Sequence, residues 1–333
     1  MRASRVSLCY YPTTVILVDD QKNFLDSVSM GLKESIPHKC YTDPHAVIEF
    51  FKNYKPDHFI NHCVTFDEDS AQVNLLVRQV SLQDIHSEIY NSDRFKQISL
   101  LVADYFMPGR NGLECCDAIS DKFIQKLLLT GDAQDDLAIE AFNKKRINQF
   151  IRKGTSNLTQ VLNDRIEELQ LNYFLQLSDY LRGTMSNNDD EYVLGILDDP
   201  IFARFFYDLC EENQIVEYYI LDNQGSFLLL DDKAQAYWLL VKDEVEMQSL
   251  SEFAKMEEAL PSLISALETR SHLPYFHTDE DLQTPAKWEA YLHPATLLEG
   301  KQKYYYSFLT DVSFKGVESK HIVSLQQYLK TTA

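Results

Sequence analysis

A chain of 333 residues with 45% hydrophobic and 25% charged side chains has an ordinary globular makeup and room for two domains. No apolar stretch approaches the roughly 20 residues of a membrane-spanning helix, and Met1 to Tyr11 makes a poor signal peptide, so a cytoplasmic protein without membrane contact is expected. The net charge of −20 is uneven: from Asn187 to Ala333, 11 Lys+Arg face 26 Asp+Glu, a net of −15, against −5 before it, which disfavours direct DNA binding by the second half.

In chain order, Thr13 to Val18 is an unbroken apolar run that reads as a buried strand. A helix from Gln21 to Ser35 follows, with Phe24, Val28 and Leu32 on one stripe. A weak strand lies at Cys40-Tyr41, and Asp43-Pro44 opens a second helix through Ile48, Phe50 and Phe51. Ile98 to Ala103 is the third strand. Pro108-Gly109 and Asn111-Gly112 turn the chain into a helix ending near Asp121. Strands at 126–130 and 147–152 flank a helix capped by Asp132 and ending near Lys145, and a long helix runs from Asn157 to Leu181. Five strands alternating with five helices predict a doubly wound α/β domain with a five-stranded parallel sheet, a flavodoxin-like arrangement.

Function in such sheets collects outside the carboxyl ends of the strands. Those ends carry Asp19, Asp20, Asp104, Thr130 and Lys153. Three acids suit a hard divalent ion, and a hydroxyl with an ammonium suits a phosphoryl group. Singly, each has an ordinary explanation: a helix cap for Asp19 and Asp20, a turn cap for Asp104, a strand end for Thr130, a solvated side chain for Lys153. Together at one sheet edge they point to a site.

These residues sit in motifs that resemble the CheY-like receiver domain of two-component response regulators. The matching segments are Leu17-Val18-Asp19-Asp20, Asp104 to Glu114 with its Met107-Pro108-Gly109 and Asn111-Gly112-Leu113, Leu129-Thr130-Gly131-Asp132, and Phe150-Ile151-Arg152-Lys153. The resemblance implies that Asp104 accepts a phosphoryl group from a histidine kinase or phosphotransfer protein. It implies Mg2+ held by Asp19, Asp20, Asp104 and the backbone carbonyl of Phe106. Lys153 would pair with the acids and then with the phosphoryl group, Thr130 would swing toward it, and Phe150 occupies the switch position. The activity implied is phospho-acceptance with self-dephosphorylation rather than a separate enzyme.

Two departures stand out. Gly154 follows the lysine where the family usually has proline, and the interval from Asp20 to Asp104 is about forty residues longer than usual. Val73, Leu76, Val77 and Val80, then Ile85 and Ile89, predict a helical insertion over about 56–97, emerging at the amino-terminal edge of the sheet away from Asp104. In the long helix, Leu162, Ile166, Leu169, Tyr173 and Tyr180 run close to a heptad seam, which fits either a dimer helix or packing on the helix's own sheet.

The predicted boundaries are 12–155 for the receiver, 156–186 for the long helix and a linker at Asn187 to Asp190, and 187–333 for an acidic α+β output domain. In that half, Ile201 to Cys210 reads as a helix, Ile215 to Leu221 and Ser226 to Leu230 as a hairpin, and Gln235 to Thr269 as a helical region. Trp288 to Leu292 and Lys303 to Leu309 are predicted strands, with Ile322 to Leu329 a last helix. His272, His277, Asp279, Glu280, Asp281 and His293 match no metal-ligand spacing and read as a solvated acidic loop. Trp288 with Tyr304, Tyr305 and Tyr306 reads as core rather than as a ligand platform. No helix-turn-helix or glycine-rich phosphate loop is visible.

The expected protein is a response regulator whose phosphorylation switches dimerisation or contacts with a downstream protein. Its layout also resembles quorum-sensing response regulators of some intracellular bacteria. The alternatives are a nucleotide-binding or enzymatic output and a nucleic-acid-binding one.

Overall fold

The computed structural model describes residues 4–66, 78–80, 82–131, 135–185, 195–276, 285–310, 317 and 319–332. Two compact units interleave along the chain. One comprises Tyr10–Val64, Asn91–Gly183 and Leu325–Ala333; the other comprises Met1–Cys9, Thr65–Tyr90 and Thr184–Ser324. The linear division expected near residue 186 therefore does not hold. Residues 65–90, expected as a receiver elaboration, belong to the second unit, where helix Leu82–Ser87 packs on strand Ile215–Ile220. Ile85 and Ile89 are fully buried there. An apolar stripe in a sequence states that a face is covered, not which unit covers it.

The first unit is built on a parallel sheet in the spatial order His38–Tyr41, Thr14–Val18, Ile98–Asp104, Gln125–Thr130, Gln149–Arg152. All four pairings are parallel. Every residue of Thr14–Val18 and Ile98–Asp104 is buried, as continuous apolar runs covered on both faces require. Alternate side chains serve two cores. Ile16, Val18, Leu101, Ala103 and Leu128 face Val47, Phe51, Leu113, Cys116 and Ala138 of helices Pro44–Asn53, Gly112–Asp117 and Asp135–Asn143. Val15, Leu17, Leu100, Val102 and Leu129 face helix Lys22–Gly31 and the long helix Leu158–Met185. The predicted cap Asp132 lies outside the described residues.

The long helix resolves the choice posed by its apolar seam. Leu162, Ile166 and Leu169 pack on the helix's own sheet, and Tyr173 is buried with its hydroxyl 2.7 Å from His58 Nδ1. Tyr180 is 42% exposed, so these positions do not form one free dimerisation stripe.

The insertion is not the predicted helix throughout. Val64–Phe66 and Arg78–Val80 form a two-stranded sheet that takes in Val80, and Val73, Leu76 and Val77 lie outside the described residues. Its returning end meets the amino end of the sheet, as expected: Thr14 N–H donates to Gln97 O at 2.8 Å and Thr14 Oγ1 to Phe95 O at 2.7 Å.

The second unit carries a six-stranded sheet ordered Cys9–Tyr10, Ile215–Ile220, Phe227–Asp231, Ala236–Asp243, Lys303–Leu309, Thr296–Glu299. The predicted hairpin forms, with Phe227 opposite Ile220, and Asp222 Oδ1 accepts from the N–H groups of Gln224 and Ser226 to close its turn. Gly225 takes φ +93°, a conformation glycine tolerates without strain. The segment expected to be helical from Gln235 begins instead with strand Ala236–Asp243, and helix Glu244–Met256 starts at its Asp243 cap. Trp238-Leu239-Leu240-Val241 is buried on every residue, a run whose periodicity cannot tell strand from helix. Trp288 lies in a 3-10 helix, Pro285–Tyr291, ahead of strand Leu292–Pro294, rather than in a strand.

Trp288, Tyr304 and Tyr305 are buried, as core residues should be. His272 and His293 sit on the paired strands His272–Pro274 and Leu292–Pro294, whereas His277, Asp279, Glu280 and Asp281 lie outside the described residues, as does the linker Asn187 to Asp190. The last helix, Leu325–Thr332, belongs to the first unit.

Candidate functional site

Sheet geometry brings the predicted residues together. Asp19 follows strand Thr14–Val18, its N–H donating to Tyr41 O at 3.1 Å, and Asp104 ends strand Ile98–Asp104. Both are buried, at 1% and 4% exposure, while neighbouring Asp20 is exposed. Oxygens of the three carboxylates lie within 4.8 Å of one another, and among the described residues this is the only cluster of three or more potential metal-ligating side chains. Asp19 Oδ1 also accepts from Gln21 N–H at 2.9 Å, which fixes the start of the following helix.

Lys153 answers the acids. Its N–H donates to Thr130 O at 2.8 Å, which holds the chain just beyond the last strand. Its ammonium lies 2.6 Å from Asp19 Oδ2 and 2.9 Å from Asp104 Oδ1. The same nitrogen stands 4.5 Å from the centre of the Phe24 ring. Phe24 was legible only as part of a helical stripe, and its cation–π role had no sequence signal because the contact joins the first helix to the last strand.

Burial raises the Asp104 carboxyl above its ordinary range, and Asp19 adds to the rise. Lys153 and the Phe106 backbone N–H, both hydrogen-bonded to the carboxylate, oppose it. Burial alone would lower the Lys153 ammonium, but its bonds and charge contacts with Asp19 and Asp104 outweigh burial and hold it above its usual value.

Thr130 ends the strand beside Asp104 and is fully buried, and its Oγ1 has no hydrogen-bond partner. A buried hydroxyl left unpaired is costly and marks a place that another group can fill. Phe150 sits opposite Leu128 and packs against the core on the helix Asp135–Asn143 side of the sheet. The Phe106 side chain is 69% exposed, so it is the residue's backbone that meets the pocket. The bond between Lys153 and Gly154 is trans.

The loop after Asp104 explains its own motif. Gly109 takes φ +80°. A Cβ on Gly112 would overlap the backbone carbonyl of Asp104. Asn111 and Glu114 then form a reciprocal capping box at the start of helix Gly112–Asp117.

The donor chemistry fits Mg2+. Three carboxylates are opposed by one ammonium, and all the candidate donors are hard oxygens.

A 2-1-3-4-5 parallel sheet with acids, hydroxyl and lysine gathered at its carboxyl edge is the architecture of a receiver domain. The chain belongs to the response-regulator family: it is 32% identical to the Legionella pneumophila response regulator LqsR, over 100% of this chain and 98% of that one, with a TM-score of 0.84. Two further solved structures overlap about half of this chain: the adenylate cyclase from Rhodopirellula baltica (17% identity, 51% of this chain and 95% of that one, TM-score 0.36) and a response regulator receiver domain protein from Clostridium thermocellum (15%, 47% and 94%, 0.30). Those scores are too low to bear on function. No protein-family model and no curated protein matches the chain.

Proposed function

We propose that the chain is the phospho-accepting regulator of a two-component phosphorelay, with Asp104 as the acceptor. The observation that carries this reading is the Lys153 ammonium shared by Asp19 and Asp104, beside the partnerless buried hydroxyl of Thr130. An Asp104 oxygen attacks the phosphorus of a phosphohistidine on a kinase or phosphotransfer protein, or of a small acyl phosphate. The bond from phosphorus to the leaving group breaks, and the leaving group keeps its electron pair. Asp104 becomes an acyl phosphate, and Lys153 turns from the Asp104 oxygen to a phosphoryl oxygen. The Thr130 hydroxyl donates to another phosphoryl oxygen and so gains the partner it lacks. That movement frees space beside the sheet for Phe150 to follow and reshapes the surface of helix Asp135–Asn143.

Asp19, Asp20, Asp104 and the Phe106 carbonyl are the residues that would hold Mg2+. Held there, it would supply charge neutralisation to the phosphoryl oxygens.

The output we propose is a change in dimerisation or in contact with a downstream protein in the cytoplasm, in quorum-sensing signalling. The net charge of −15 beyond residue 186 opposes a nucleic-acid-binding output. Incubation with labelled acetyl phosphate and Mg2+ tests the acceptor. The wild-type chain should take up acid-stable, base-labile label, and Asp104→Asn should lose it; equal labelling of the variant overturns the assignment. Sedimentation before and after phosphorylation tests the output, and identical dimer fractions remove dimerisation from it.

A further inference from the structure

A cavity of about 690 Å³ opens in the first unit at the end of the sheet opposite Asp104. One wall is Thr14, at the amino end of the strand that leads to Asp19, together with the end of the first helix and the loop into His38. The other wall is the C-terminal helix Leu325–Thr332, seated through buried Leu325 and through Tyr328, whose ring lies 5.2 Å from that of Phe95. The volume is in the range of small-molecule sites, and the space is a cleft open to solvent.

The lining has two chemistries. Leu32, Ile36, Pro37 and Leu329 supply an apolar body. The polar floor is internally satisfied: Ile36 O takes the Nδ1 proton of His38 at 3.0 Å, which leaves Nε2 to accept from Ser29 Oγ at 2.6 Å in the neutral ring. The rim carries three ammonium groups, Lys33, Lys39 and Lys330, against one carboxylate, Glu34. Lys33 is engaged by Glu167 at 2.5 Å, and Lys330 donates to the neutral Gln326, with no ion-pair partner among the described residues. Lys39 has no ion-pair partner among the described residues. In a chain of net charge −20, a pocket whose rim is positive and whose interior is apolar selects by charge as well as by shape.

We propose that this cavity is a second input site that binds a small organic anion, with its head at Lys39 and Lys330 and its apolar body against Leu32, Ile36 and Leu329. The two lysines stand on opposite walls, so an occupant ties the C-terminal helix to the receiver sheet. The site is separate from the phosphorylation reading and does not depend on it.

Calorimetric titration of the full chain with decanoate, decyl phosphate and decanol, all below micelle-forming concentrations, tests the proposal. At least one anion should bind saturably at one site, and at least tenfold more tightly than decanol; the two anions distinguish a carboxylate from a phosphate head. Lys39→Glu combined with Lys330→Glu should weaken the anion at least tenfold while acetyl phosphate labelling stays unchanged. Ser29→Trp, which fills the cavity, should abolish binding. The proposal is overturned if neither anion binds saturably, if decanol binds as tightly as the anions, or if the double charge reversal leaves anion affinity unchanged.

Discussion

Gly112 lies against the backbone carbonyl of Asp104, so that a single added methyl would collide with the backbone of the proposed phospho-acceptor. The obstacle is backbone, which cannot rotate away as a side chain could. Gly112→Ala should therefore destabilise the receiver by about 1–3 kcal/mol, the scale of overpacking a tight site. It should also slow labelling of Asp104 by acetyl phosphate. Urea unfolding followed alongside labelling rate checks both, and an alanine variant with native stability would show that the loop yields freely.

Asp104 stands where its charge is unwelcome even with the Lys153 ammonium beside it. Burial and Asp19 raise its carboxyl, so the folded chain carries a cost for ionising it. That cost is absent below about pH 4, where the folded and unfolded states both hold the proton, and it grows as pH rises through the raised folded value. Asp104→Asn should thus be more stable than wild type at neutral pH in chelator, by on the order of 1 kcal/mol. The advantage should vanish in acid. Adding Mg2+ should raise the melting temperature of the wild type more than that of the variant.

Thr130 should behave unlike a structural threonine. Its buried Oγ1 has no partner, so Thr130→Val removes an unsatisfied group at nearly constant shape. The unphosphorylated variant should be neutral or more stable by up to about 1 kcal/mol. Its gain in stability on phosphorylation should be smaller than that of wild type. Thermal unfolding with and without acetyl phosphate compares the two, and equal gains would remove Thr130 from the switch.

The sheet and its edge were legible because their signals are local. Thr14–Val18 and Ile98–Asp104 are short, largely apolar runs with an acid at their carboxyl ends, and their alternation with helical stretches is what makes them read as doubly covered parallel strands. What was not legible depends on partners distant in sequence. Trp238 to Val241 is as apolar as a buried helix, and its pairing with Phe227–Asp231 on one side and Lys303–Leu309 on the other makes it a strand. Ile85 and Ile89 announce burial but not that the second unit supplies it. The Phe24 ring beneath Lys153 joins residues 129 positions apart, which no periodicity records.

The receiver does not end at residue 155. Leu162, Ile166 and Leu169 complete the core on one face of its sheet. A fragment of residues 12–155 should expose that face, bind a hydrophobic dye and unfold without a sharp transition. Extending it through residue 183 should restore cooperative unfolding in part, because the C-terminal helix would still be missing. Sharp unfolding of the shorter fragment would contradict this packing account.

The central claim is that one carboxyl, that of Asp104, carries the phosphoryl group, and its most direct test is to locate that group chemically. Reduction with borohydride after treatment with acetyl phosphate and Mg2+ converts an aspartyl phosphate to homoserine, which peptide mass spectrometry assigns to a position. The account predicts homoserine at position 104, dependent on Mg2+ and strongly reduced in Lys153→Met. Homoserine at Asp19 or Asp20 instead, or none at any position in a chain that has taken up label, would contradict it.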